Sequence, residues 1–171
     1  MKVLQQGHAD GLCGVYALLN FLQTTHWSVG DNREGLAFLL DAVRHFRWLT
    51  PEKLTNGFED FELKAILDLQ IENWRLGYAS YFLEDTRRAL RIADAAELMQ
   101  AVVRAGGSAV VNFDQRSHWL LITAADGEPV ICDSANPRRP ISRLGDNSRP
   151  FSPRHGLVIL PRPRPAIELK L

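Results

Sequence analysis

The pair Gly106-Gly107 divides the chain into two parts with different hydrophobic periods, and that division constrains the fold more than any other feature. Ahead of it, apolar residues recur at helical spacing. Beyond it, short runs rich in Val, Ile, Leu and Trp take over, the pattern of half-buried strands. The segment CGVYALLNFLQTT from Cys13 to about Thr25 predicts a first helix with a broad apolar stripe, starting just after the turn-forming Ala9-Asp10-Gly11. A second helix is expected from Asn32 to Trp48, with Leu36, Leu39, Leu40 and Val43 in register. Thr50-Pro51 reads as an N-cap followed by proline at N1, and Asn56-Gly57 as the break that follows. Glu59 to Leu69 predicts a further amphipathic helix. Asp94 and Glu97 form a capping box ahead of LMQAVV, whose helix ends at the glycine pair. Strands are then expected at Ser108–Phe113, His118–Ala124, Pro129–Asp133 and Gly156–Leu160, with Asp126-Gly127 as a hairpin turn. Residues Trp74 to Arg91 carry Tyr78, Tyr81 and Phe82 among charges and fit either a packed crossover or the wall of a groove. Helices first and antiparallel strands afterwards give an α+β class.

The chain has 171 residues, room for one core, and we divide it into a single domain over 1–160 and an extended Pro/Arg-rich tail, PRPRPAIELKL, over 161–171. Twenty basic and 20 acidic side chains leave no net charge, so bulk electrostatics favour neither nucleic acid nor a membrane surface as partner. The late arginines Arg138, Arg139, Arg143, Arg149, Arg154, Arg162 and Arg164 read as a solvated face. The polar start is not a secretory signal, and no apolar run approaches the ~20 residues needed to span a bilayer. Cys13 and Cys132 are expected as free thiols of a cytoplasmic protein. They and the five histidines have no ligand spacing for a structural metal, and no cofactor is expected.

Chemistry can enter through one thiol and one imidazole. A thiol attacks as thiolate, which the positive end of a helix and a neighbouring imidazolium both stabilise. Cys13 has the first of these by position. It also fits a small buried thiol on a core helix. Gly14 beside it keeps side-chain bulk away from an approaching carbonyl. His118 opens the otherwise apolar strand HWLLI and so needs a polar partner. The hairpin would bring Asp133 roughly opposite, where its carboxylate can fix the imidazole's tautomer and stabilise its cation. Asn136 is a second candidate for that role. Cys132 is expected to point away as a packed thiol, and Trp119 to pack in the core rather than wall a cleft. His8, His26 and His45 read as surface residues, and His155 as a strand-head residue with no obvious acidic neighbour. Gln6, with Gln5 next to it, lies upstream of the thiol where a side-chain amide could join the Cys13 N–H in holding an oxyanion.

The ordered set Gln6, Asp10-Gly11-Leu12-Cys13-Gly14, His118-Trp119 and Asp133 resembles the papain-like cysteine peptidase superfamily, closest to its C39-like branch. In that branch a cysteine opens the long helix, a histidine followed by an aromatic starts a strand, and an aspartate follows about fifteen residues later. The resemblance implies a papain-like fold in which the nucleophile helix packs on a C-terminal antiparallel sheet. It implies Cys13 as nucleophile, His118 as general base and acid, Asp133 as orienter and Gln6 as oxyanion donor. The activity implied is hydrolysis of a peptide or isopeptide bond in a protein or peptide substrate, through a thioester and without metal. Acyl transfer or glutamine deamidation would use the same thioester, and a silent binding module would keep the fold alone. Oligomeric state is not readable from the sequence.

Overall fold

A computed structural model describes residues 12–24, 32–113, 118–136, 141–144, 153 and 155–162. Among these residues six helices and six strands follow in the order α1 (Cys13–Thr24), α2 (Asn32–His45), α3 (Pro51–Asn56), α4 (Asp60–Asn73), β1 (Tyr78–Phe82), α5 (Leu83–Leu90), α6 (Ala95–Arg104), β2 (Ser108–Phe113), β3 (His118–Ala125), β4 (Glu128–Cys132), β5 (Ile141–Arg143) and β6 (Gly156–Pro161). The class is α+β. The strands form one open sheet in the order β1-β6-β2-β3-β4-β5, antiparallel at every pairing.

Period-2 alternation gives this sheet two apolar faces. Val110, Trp119, Leu121, Val130, Cys132, Leu157 and Ile159 share one core with α1, α2 and α4. Their neighbours Val111, Leu120, Ile122, Ile131 and Val158 share a second core with α5 and α6. The result is three layers, helices on both sides of the sheet. Helix α1 is buried from Cys13 through Leu22 without a break, so it has no solvent face and sits between the sheet and the helices α2 and α4. Gly14 makes that possible. A Cβ there would stand 2.7 Å from Leu63 Cδ1 of α4 and 3.2 Å from Trp119 Cδ1 of β3. The glycine expected to clear a path for substrate therefore also serves close packing of three elements.

Local signals placed most elements. Thr50 caps α3 by accepting from the Lys53 N–H at 3.2 Å, and Asp94 caps α6 by accepting from the Glu97 N–H at 2.7 Å. The turn between β3 and β4 has both central residues at positive φ, Asp126 at 52° and Gly127 at 82°, as a type I′ hairpin requires. Helix α2 stops at His45 rather than Trp48. Arg47 turns left-handed at φ 58°, and the Trp48 N–H reaches back to the Val43 carbonyl at 3.0 Å, which is a Schellman cap. Trp48 then stacks on Phe46 with ring centroids 4.6 Å apart.

Two further differences bear on the sheet. The segment 74–91, for which the sequence marks no regular element, holds the edge strand β1 and helix α5, and Ile141–Arg143 forms the opposite edge. Strand β6 runs through Pro161, and Arg162 donates its N–H to the Gly77 carbonyl at 2.8 Å. Residues 163–171 lie outside the described residues, as do Arg138, Arg139, Arg149 and Arg154. Among the described residues no helix is long and apolar enough to cross a membrane.

Candidate active site

The start of α1 is set by Leu12, whose carbonyl accepts from the Tyr16 N–H at 2.9 Å. Cys13 is thus the first helical residue, and its own N–H precedes the helix's hydrogen-bond ladder. The residue is 6% exposed and belongs to the core shared by α1 and the sheet.

Strand β3 places the imidazole. Its second residue, Trp119, is 2% exposed and donates its indole N–H to the Phe58 carbonyl at 3.0 Å, as a core residue rather than a cleft wall. That bond fixes the start of the strand against the loop before α4. Behind the loop, the buried Glu62 carboxylate accepts from Lys53 Nζ at 2.7 Å and from the Glu59 N–H at 2.8 Å, which ties α3 to α4. His118, at the mouth of the strand, keeps 28% side-chain exposure.

The hairpin delivers the carboxylate. Leu121 faces Cys132 across β3 and β4, and this register extended outward sets Asp133 opposite Leu120. Asp133 and His118 are therefore diagonal neighbours rather than a directly opposed pair. His118 Nε2 lies 2.9 Å from Asp133 Oδ1, and the same oxygen accepts the Ala135 N–H at 2.9 Å. That turn holds the carboxylate still while it holds the ring. Asn136, the other candidate orienter, is exposed and acts on the same carboxylate through its backbone N–H. With Nε2 engaged, Nδ1 is the ring nitrogen left for the thiol.

Electrostatics tie the three residues together. The hydrogen bond that His118 donates to Asp133, and after it one with Cys13, push His118 up to about 9 from its usual 6.5, against the opposing effect of burial. Burial works to raise the Asp133 carboxyl, but the bonds from His118 and from the Ala135 and Asn136 amides outweigh it and leave the group below its ordinary value. An imidazolium beside a carboxylate and a thiol is a proton store and a nucleophile within one hydrogen-bonded chain.

Cys132 points into the α1-side core at 2% exposure, and burial pushes its thiol up to about 12. His155 differs from its reading in sequence. It is exposed but has an acidic neighbour, with Nδ1 3.8 Å from Asp60 Oδ2, in a cleft of about 230 Å³ that also touches Glu84 and Asp85. His45 is exposed at the end of α2. Gln6 and Gln5, together with Asp10, Gly11, His8 and His26, lie outside the described residues. Sequence reasoning missed Ser134, which is 2% exposed directly after Asp133 and whose hydroxyl has no hydrogen-bond partner among the described residues. Nothing in the residue type or its spacing marks it. Among the described residues no group of three or more His, Cys, Asp or Glu side chains could hold a metal ion. No family model matches this chain, and no curated protein or solved structure matches it either.

Proposed function

We infer that this chain is a papain-like cysteine peptidase or isopeptidase, in which Cys13 attacks the carbonyl, His118 moves the protons and Asp133 orients the imidazole. One observation carries the reading: His118 stands between a carboxylate and a thiol, bonded to both, with the thiol on the first residue of a buried helix. Residues about a hundred positions apart in sequence meet there, and a core thiol needs no such neighbour.

In the proposed cycle the Cys13 thiol proton passes to His118, Sγ forms a bond to the carbonyl carbon as thiolate, and the carbonyl electron pair moves onto oxygen. The oxyanion accepts from the backbone N–H of Cys13, with Gln6 as the side-chain donor; one such donor is worth about 2.7–4 kcal/mol. The C–N bond then breaks as the His118 imidazolium gives its proton to the leaving amine. Water attacks the thioester, His118 takes its proton, the C–S bond breaks and the carboxylate product leaves. Asp133 holds the ring throughout and stabilises its cation.

The test is alkylation by iodoacetamide at neutral pH, followed by intact mass and peptide mapping. Cys13 should react faster than a model thiol and Cys132 should not react. A Cys13 no more reactive than a model thiol, together with full activity in Cys13→Ala, sinks the reading. The mass of a trapped product then separates hydrolysis, which splits the chain, from deamidation, which adds about one dalton, by the chemistry of thioester release.

A further inference from the structure

Helix α4 begins against the chain neighbours of both residues assigned to the chemistry. A Cβ at Gly14, one residue past Cys13, would stand 2.7 and 2.9 Å from the two Leu63 methyls. Trp119, one residue past His118, donates its indole N–H to the Phe58 carbonyl at 3.0 Å. Trp119 also closes on Gly14, its Cδ1 lying 3.2 Å from the same Cβ position. Gly14, Leu63 and Trp119, all buried, thus form a triangle where the starts of α1, α4 and β3 meet.

The Phe58 carbonyl holds Trp119 in place only as firmly as its own backbone is held. That backbone is residues 57–59, the link between α3 and α4, and it is pinned on both sides of Phe58. The Gly57 N–H donates to the Lys53 carbonyl at 2.9 Å, and the Glu59 N–H donates to Glu62 Oε2 at 2.8 Å. Lys53 Nζ donates to that same Glu62 oxygen at 2.7 Å. The Glu62 side chain is 4% exposed. A buried ion pair is weak evidence for stability, because an apolar pair of similar volume often serves as well. An apolar side chain at position 62 could not accept the Glu59 N–H, however, and the link would lose one of its two pins.

Two supports therefore act on the imidazole. The bond to Asp133 orients the ring. The chain of contacts through Trp119, Phe58 and α4 sets how far the strand carrying the ring stands from the helix carrying the thiol. Reaction depends on that separation, since misplacing reacting groups by an ångström can cost ~10²-fold.

We propose that Glu62 is a positioning residue for the Cys13–His118 pair: by pinning the 57–59 link it makes the start of α4 a brace between α1 and β3, a role that rests on the reading of Cys13 and His118 as nucleophile and base. Glu62 acts through Phe58 and Trp119, not on the substrate.

The experiment compares the full native chain with Glu62→Ala, Glu62→Gln and Trp119→Phe, by iodoacetamide labelling with peptide mapping and by kcat and KM on a fluorogenic peptide. In Glu62→Ala, Cys13 labelling at neutral pH and kcat should each fall by about 10–10²-fold, with KM within a few-fold. The basic limb of the kcat/KM profile should move below about 9, because the bond with Cys13 is one of those that raise His118. A merely structural role would leave that limb in place. Trp119→Phe keeps an aromatic ring near Gly14 but deletes the indole N–H, and should move labelling, kcat and the limb in the same direction. Glu62→Gln keeps an acceptor for the Glu59 N–H and should recover most of the rate. Cys132 reports folding in the same samples, since a buried thiol labels only when the core opens. If Glu62→Ala labels at Cys132 it has unfolded, and Trp119→Phe decides the question. Native labelling, native kcat and an unmoved limb in whichever of these two variants is folded overturn the brace. A native chain whose Cys13 labels no faster than a model thiol overturns the reading of the site, and the brace with it.

Discussion

The two thiols of this chain lie in the same hydrophobic cluster and are buried to nearly the same degree, yet their surroundings differ in kind. Cys132 stands inside a strand facing Leu121, where desolvation is the main influence and pushes it up to about 12. Cys13 stands at the start of a helix with His118 as a hydrogen-bonding neighbour. Burial alone therefore does not distinguish these two thiols. What separates them is whether a positive group and a helix terminus stand beside the sulfur.

Removing each sulfur is the strongest way to break this comparison. Cys13→Ala should lower turnover by about 10⁶-fold, the scale seen when a covalent nucleophile is deleted. Cys132→Ala should leave kcat within a few-fold. Stopped assays on a fluorogenic peptide read both, and comparable losses in the two variants would erase the distinction.

His118→Ala comes next, at about 10²–10⁴-fold in kcat, the range for a positioned acid–base group. Iodoacetamide labelling of Cys13 at neutral pH should slow in the same variant, whereas labelling of Cys132 stays unmeasurable. Asp133→Asn keeps an acceptor near the ring but removes the largest influence that raises His118. The basic limb of the kcat/KM profile should then move from near 9 toward 6.5. An unmoved limb would mean that another group governs it.

Cys132→Ser sharpens the comparison from the other side. It places a hydroxyl in an apolar core at a cost of about 1–3 kcal/mol in urea unfolding, with kcat unaffected. A silent fold and an impaired site would be told apart by that split.

The parts of this site that are legible in sequence are those carried by short-range chemistry. Asp126-Gly127 announces a hairpin because only residues tolerant of positive φ close it, and the hairpin brings Asp133 to His118. The diagonal placement of the pair is set by where β4 ends, which no local signal marks. Helix ends were less readable where arginine takes the left-handed position usually held by glycine. Arg47, Arg75 and Arg91 all do so, at φ 58°, 49° and 56°. A left-handed residue other than glycine costs about 1–2 kcal/mol, so these ends are held by their context. Each is followed by a residue whose N–H closes a Schellman bond, Trp48 to Val43, Leu76 to Ile71 and Ile92 to Arg87. Strand β1 was hidden for a similar reason. It passes directly from Phe82 into α5 with no turn residue between, and its partner β6 lies at the far end of the chain. Gly14 is the opposite case, visible as a glycine beside the thiol but explained only by Leu63 and Trp119.

The smallest effect expected is thermodynamic and follows from the same pair. The folded-state pKa of His118 lies above its unfolded value, so protonated His118 contributes stability that is fully present below about 6.5 and is lost as pH rises through about 9. The folded-state pKa of Asp133 lies below its unfolded value, so its contribution is present above that unfolded value, about 3.9, and fades as pH falls. The dyad is thus at full strength between those limits. The stability gap between the native chain and Asp133→Asn, measured by urea unfolding, should be widest near pH 5.5, narrower at pH 7.5 and small by pH 9.5. Cys132→Ser should show a gap that does not change between pH 5.5 and 7.5; at higher pH the unfolded thiol, at about 8.5, ionises while the folded one, pushed up to about 12, stays neutral, and this gap closes as well. If the Asp133 gap is equally flat, the imidazolium is not held by that carboxylate, and the contrast between the two thiols loses its electrostatic basis.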